Sequence, residues 1–411
     1  MQNVHHKPWL MLVTLYMSQY VGISFLLAAS VVVLRGLGLP LEQLALINLV
    51  MLPLAGKIVL ALLVDYLPTC FKGHYRGWLI IAQLSMTVLL VIISFVHIVE
   101  QFYLVLALFL IYSVMTCLQD VSVDGLACKI FAEGERQNAN AIQYASNLVG
   151  NIIGGGVVLI FYEQLQWQGA VIILALLTAL SLIQVLFYKE PILVHALSGK
   201  EVLLESKQGL IKQIFFFCKV HKAWFLFLLI LPIGFSSAYV LINPMLVDLG
   251  WSIQEIGFVT KIYGSIIGVV SAMLILLLIK RFGRNRTVQL LITLQALALI
   301  FLLPLTTGSA SVADVYIAIG LYSLINPALL AAISTVIMDK ASTMRAKATF
   351  FSLQLSFVVV MGFVYSVIAL TLASSYGYYT VLIIYIILAI LVAVLSCAGL
   401  LTNKSGNEAE S

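Results

Sequence analysis

Asp120 and Asp124 stand one helical turn apart in LQDVSVDGLACKIF, directly after the apolar run YLVLALFLIYSVMTC. At that spacing both carboxylates project from the same helix face. In an apolar segment such a pair suits one of three tasks. It can latch a gate by pairing with nearby cations such as Lys129 or Arg136, carry a proton across a barrier, or contact a solute. Three more ionisable groups fall within or at the end of apolar stretches: Lys57, Asp65 and Lys261. Lys57 and Asp65 are about 80° apart around a helix, so either can reach across to the segment of Asp120. Lys57 and Lys261 lie deeper. Facing a common cavity they suit an anionic solute; the other reading is that each snorkels or neutralises a neighbouring acid. Gln19, Gln143, Asn147, Asn151, Asn243, Asn326 and Gln354 are the uncharged candidates for lining a pathway. Gln143, Asn147 and Asn151 follow one another turn by turn, a stripe that serves equally for hydrogen bonding between helices.

Composition sets the elements that must hold these groups. The chain has 411 residues, 62% of them hydrophobic and 9% charged, against about 25% charged in soluble proteins. Lipid is therefore the solvent for most of it. A membrane helix needs about 20 mostly apolar residues. Twelve stretches qualify: 9–34, 43–64, 78–98, 101–125, 139–162, 169–188, 223–247, 256–279, 287–305, 313–337, 348–370 and 378–401. This predicts an all-α polytopic membrane protein with a six-helix half at 1–188, a cytoplasmic linker at 189–222, a second six-helix half at 223–401 and a cytoplasmic tail at 402–411. With both termini cytoplasmic, nineteen of the 22 lysines and arginines fall inside and only Arg35 outside, as the positive-inside rule requires. The first apolar stretch is too long for a signal peptide's core and reads as the first span. Gly150, Gly154, Gly155 and Gly156 in GNIIGGG favour close helix packing.

Several functions have no support. No basic stripe with interleaved aromatics points to nucleic acid. The five cysteines are scattered and lack C-x-x-C spacing, so neither a disulfide framework nor a zinc site is indicated. The six histidines fall in loops, tails or span ends without H-x-x-x-H or H-E-x-x-H, which disfavours a membrane-embedded transferase and leaves no metal or cofactor implied. No Walker A pattern suggests direct use of ATP. A channel or receptor lacks its extramembrane parts, because the outer loops are short. A secondary transporter accounts for the spans, the charge asymmetry and the intramembrane acids together.

The loops VDYLPTCFKGHYRG and IKRFGRNR, after the second and eighth spans, echo each other as short basic turns that carry glycine. Two such halves resemble the major facilitator superfamily, in which the halves rock about a site near the midplane. LQDVSVDGLACKIF…ERQNANAIQYASNLVGNIIGGGVVL, LPLAGKIVLALLVDYL and GFVTKIYGSIIG resemble the AmpG-like branch of that superfamily, which includes AmpG-type muropeptide permeases and RhtX/FptX-type ferric-siderophore permeases. VVVLRGLGLPLEQLALINL, NPMLVDLGWSIQEIG and VIMDKASTMRAKATFFSLQLSF are closer to the siderophore group, placing Asp339 and Gln354 at family positions; the span 8 lysine leans to the muropeptide side. The chain departs from both where ASNLVG stands in place of a usual tyrosine-arginine. The resemblance implies a monomeric multi-pass importer of the bacterial inner membrane, taking a small organic solute by alternating access. A ferric siderophore is the first reading and a muropeptide the alternative, with protons coupled through Asp120 or Asp124.

Overall fold

The computed structural model describes residues 8–40, 43, 46–191, 210–308 and 310–396, among which every regular element is a helix. Most of the linker predicted at 189–222 and the whole tail at 402–411 lie outside the described residues. Nine of the described helices are long and apolar enough to cross a membrane. In chain order they are α1 (Trp9–Leu34), α3 (His74–Phe95), α4 (Phe102–Ile130), α6 (Tyr162–Phe187), α7 (Lys222–Asp248), α8 (Gln254–Phe282), α9 (Arg284–Thr306), α10 (Val312–Ser342) and α11 (Lys347–Leu395). The last is two limbs, because Gly377 takes a positive φ of 77° and breaks the helix there.

Two further helices complete the bundle. α2 (Lys57–Tyr66) is short because its approach, Ile47–Met51 and Leu52–Ala55, is interrupted at Gly56. α5 (Arg136–Asn151) runs on through a π-helical turn, Ile152–Val157, into Val158–Ile160, and its polar stripe keeps it below the apolarity of its neighbours. Matching turns join α2 to α3 and α8 to α9. In each, a positive-φ glycine (Gly73 at 94°, Gly283 at 75°) caps the following helix, a backbone state that costs glycine little.

Lipid-facing positions such as Leu176, Phe187, Leu277 and Val367 are exposed and apolar. The buried apolar residues are distributed unevenly along the bundle. At the end where α1 begins, one continuous cluster joins both groups of helices, including Leu15, Val121, Ile333 and Phe351. Towards the other end there are two separate clusters, one around Phe25, Met86 and Phe109, the other around Leu241, Leu299 and Tyr385. The bundle is thus sealed at the first end, here the lower, and split at the upper.

Glycines bring α5 onto α1. A Cβ at Gly154 would lie 2.0 Å from the Val21 carbonyl oxygen, and one at Gly150 would lie 2.7 Å from that of Met17. Backbone cannot yield as a side chain does, so Gly154→Ala is expected to destabilise the protein by about 1–3 kcal/mol. Gly156→Ala, whose new methyl would meet only Ile262 at 3.5 Å, is the control that leaves stability unchanged. Thermal unfolding of the purified protein in detergent compares the two.

Candidate functional site

Lys57 opens α2, and its ammonium reaches α4. It forms an ion pair with Asp120 and a second with Asp124 at 3.0 Å. Asp124 is fully buried; Lys57 and Asp120 are 4% and 8% exposed. The buried acid is held from three other helices: its Oδ1 accepts from the Tyr16 hydroxyl of α1 at 2.8 Å and from the Gln143 amide of α5 at 3.1 Å, and its Oδ2 accepts from Lys57 of α2. The Phe351 ring of α11 lies 6.0 Å from the ammonium. One ammonium between two carboxylates leaves a formal excess of one negative charge when both acids are ionised. In a low-dielectric site that excess demands a proton or another cation.

Lys57 and Asp120 form part of the wall of a central cavity of about 420 Å³. Gln19 and Tyr20 of α1 and Tyr144 of α5 line the same side. Opposite them are Tyr239 of α7, Tyr322 and Asn326 of α10, and Ser356 and Phe363 of α11. Tyr239 and Tyr322 stack with ring centres 6.0 Å apart, and Asn326 donates to the Tyr322 hydroxyl at 3.0 Å. Lys261 sits in a π-helical turn of α8, Phe258–Tyr263, and its exposed ammonium donates to the Tyr239 hydroxyl at 3.5 Å. It therefore stands beside the cavity wall and, among the described residues, pairs with no acid.

Geometry redistributes the residues singled out from the sequence. Lys57 lines the cavity, and its ammonium is paired with two acids. Asp120 and Asp124 do not pair with Lys129 or Arg136: Lys129 binds Glu190 at 2.5 Å, and Arg136 binds Asp339 at 2.8 Å. The polar stripe of α5 joins helices rather than lining the cavity. Gln143 serves Asp124, and the Asn147 amide nitrogen donates to the Tyr16 and Gln143 backbone carbonyls at 3.3 and 3.1 Å; at Asn151 it is the backbone carbonyl that accepts, from the Ser24 hydroxyl at 3.1 Å. Gln354 is buried away from the cavity, accepting from the Trp224 indole at 2.7 Å and donating to the Phe350 carbonyl at 2.8 Å. Asn243 is exposed. Tyr16, whose hydroxyl completes the acid's surroundings, has no spacing signal in the sequence that marks it.

Below the cavity, contacts cross between the two groups of helices. Asp65 at the end of α2 accepts from the Thr349 N–H at 2.6 Å and the Ala348 N–H at 3.4 Å, while Tyr75 donates to it at 2.8 Å. A carboxylate there satisfies the free N–H groups of the first turn of α11 and meets the positive end of its dipole. Arg136 of α5 and Arg284 at the start of α9 converge on Asp339 of α10, and Arg284 also reaches Glu133, 3.3 Å from its Oε1. Higher on the same pair of helices, the Tyr144 and Ser334 hydroxyls lie 2.9 Å apart. These bonds close the lower end under the cavity floor.

The sequence profile described as Major Facilitator Superfamily matches residues 9–353. The chain belongs to the Major Facilitator Superfamily. Its fold is similar to that of the transporter FucP in the outward conformation, with a TM-score of 0.66 at 13% identity, over 95% of this chain and 98% of the other. It is likewise similar to the proton:xylose symporter XylE bound to 6-bromo-6-deoxy-D-glucose, with a TM-score of 0.64 at 14% identity over 95% of each chain. At such identities the likeness is one of fold. Among curated sequences, an uncharacterized protein of Haemophilus influenzae is 25% identical over 258 residues, 61% of this chain and 60% of that one. The anhydromuropeptide permease of Escherichia coli K12 is 25% identical over 243 residues, 58% of this chain and 48% of that one. The matched segments thus span about half to three fifths of those relatives' lengths.

Within this facilitator fold, removing Lys57 strands two buried acids. Breaking a buried pair costs about 3–5 kcal/mol, so Lys57→Met is expected to lower stability by that order near neutral pH. Unfolding midpoints of the variant and the natural protein give the measurement.

Proposed function

We propose that the protein is a proton-coupled secondary transporter that imports an organic solute by alternating access, with twelve spans, both termini cytoplasmic, in a bacterial inner membrane. The observation carrying this reading is the single lysine shared by two aspartates at the cavity wall. It leaves a charge that a proton can fill, on a group reachable from the cavity. In this reading the eight other long helices, the two limbs of α11, and α2 and α5 make up the twelve spans. With the termini inside, the sealed lower end is cytoplasmic and the split upper end admits solute from outside.

The solute we favour is a sugar-peptide of the muropeptide class. Stacked tyrosines and neutral polar groups suit sugar rings and amides. Lys261, which among the described residues pairs with no acid, offers a cation for a carboxylate. The similarity to the anhydromuropeptide permease points the same way. The siderophore reading rests on short sequence resemblances.

Cells lacking the gene are expected to lose uptake of radiolabelled anhydromuropeptide while keeping that of ferric siderophore. Lost iron uptake with normal muropeptide uptake would reinstate the siderophore. In proteoliposomes, Asp124→Asn should abolish accumulation driven by a proton gradient yet retain solute exchange between the two sides. Full accumulation by that variant removes Asp124 from coupling. Lys261→Gln should raise the half-saturating muropeptide concentration about tenfold, the order of one charge-assisted hydrogen bond.

A further inference from the structure

An ionised carboxylate only accepts hydrogen bonds, whereas a protonated one must also donate. Around Asp124 the partners described above are arranged for the ionised form: Tyr16, Lys57 and Gln143 all donate to it. When a proton arrives, the new O–H needs an acceptor. Lys57 has none to offer, and the Tyr16 hydroxyl can accept only by rotating away the hydrogen it now gives the acid. Gln143 carries a second acceptor. Its Oε1 is buried and, among the described residues, has no hydrogen-bond partner, although its Nε2 already lies 3.1 Å from Asp124 Oδ1. A half-turn of the amide exchanges the two atoms and puts an acceptor where a donor stood. Leaving a buried carbonyl unpaired is costly, so the unused oxygen calls for an explanation.

Gln143 also occupies a particular place on α5. The next residue, Tyr144, shares a hydrogen bond with Ser334 of α10, and one turn earlier Asn140 contacts the Met338 sulfur of α10 at 3.7 Å. A further turn down, Arg136 binds Asp339. The residue touching the acid thus adjoins a ladder of contacts between the two halves.

We infer that Gln143 is a positioning residue that reads the protonation of Asp124 and passes it to the contact between α5 and α10. Its amide donates to the ionised acid and, turned over, accepts from the protonated one. Turning withdraws the N–H from the carboxylate and shifts the segment of α5 that carries Tyr144, which biases the closure beneath the cavity. The ionisable groups facing Asp124 are Tyr16 and Tyr20 on α1, Lys57 on α2, Asp120, Cys117 and Cys128 on α4, and Tyr144 on α5.

This inference rests on the proton-coupled reading, and its test needs no solute. The full chain in lipid nanodiscs would be titrated and followed by difference infrared spectroscopy, with Asp124→Asn identifying the band of the protonated Asp124 carboxyl. In Gln143→Met, which keeps the size but offers neither donor nor acceptor, that band is expected to move to the higher frequency of a less hydrogen-bonded acid. The glutamine side-chain amide change that accompanies it in the natural protein should disappear. In Gln143→Glu, which adds a second acid and no amide, the midpoint of the titration should move about one unit to higher pH. A carboxyl band whose frequency and midpoint are the same in both variants as in the natural protein overturns the inference. Absence of any Asp124-dependent band overturns the proton reading beneath it instead.

Discussion

The arrangement of this protein turns on a charge imbalance that hydrocarbon does not tolerate. One ammonium lies between two carboxylates, deep in a bundle whose outer surface is apolar. Burying an ion pair already costs desolvation, and burying a pair with an extra acid costs more unless donors surround it. That requirement explains why four helices converge on Asp124. α1 brings Tyr16, α2 brings Lys57, and α5 brings Gln143, while α1 and α5 can approach closely only because glycine faces backbone along their seam. The close packing of the first half and its charged network therefore support each other.

A second constraint acts at the lower end. Helix termini carry unsatisfied N–H groups, and the start of α11 meets its need with a carboxylate from α2. Arg136, Arg284, Glu133 and Asp339 form a similar partnership from α5, α9 and α10. These are polar contacts between partners that water could also satisfy once separated. They add to the apolar cluster that already joins both groups of helices at this end.

Much of this was legible in the sequence, and the limits are physical. Hydropathy found the helical segments because lipid leaves few alternatives to helix. Lys57, Asp120 and Asp124 stood out as ionisable groups in or at the end of apolar runs, and all three are buried. Which partner each would choose did not follow, since a helix's rotation about its axis is set by packing against its neighbours. Arg136 and Lys129 lie close to Asp124 in sequence yet bind Asp339 and Glu190. Tyr16 was invisible for a related reason: an isolated tyrosine in a span resembles any other aromatic until its hydroxyl finds an acid. The basic loop IKRFGRNR was legible as an echo of the earlier loop, but the reach of Arg284 across the halves was not. Gln354 and Asn243 illustrate the ambiguity of amides in spans, one tied into the packing of α7 and α11, the other exposed.

The cavity's two walls differ in kind. The charged network belongs to α1, α2, α4 and α5, whereas α7, α8, α10 and α11 contribute tyrosines, an asparagine, serines and, beside the wall, Lys261. In the proposed cycle the groups that would take up the proton are confined to the first half, while the groups that would meet the solute come from both. Substitutions on the second half can then reshape the cavity without touching the acids on the first.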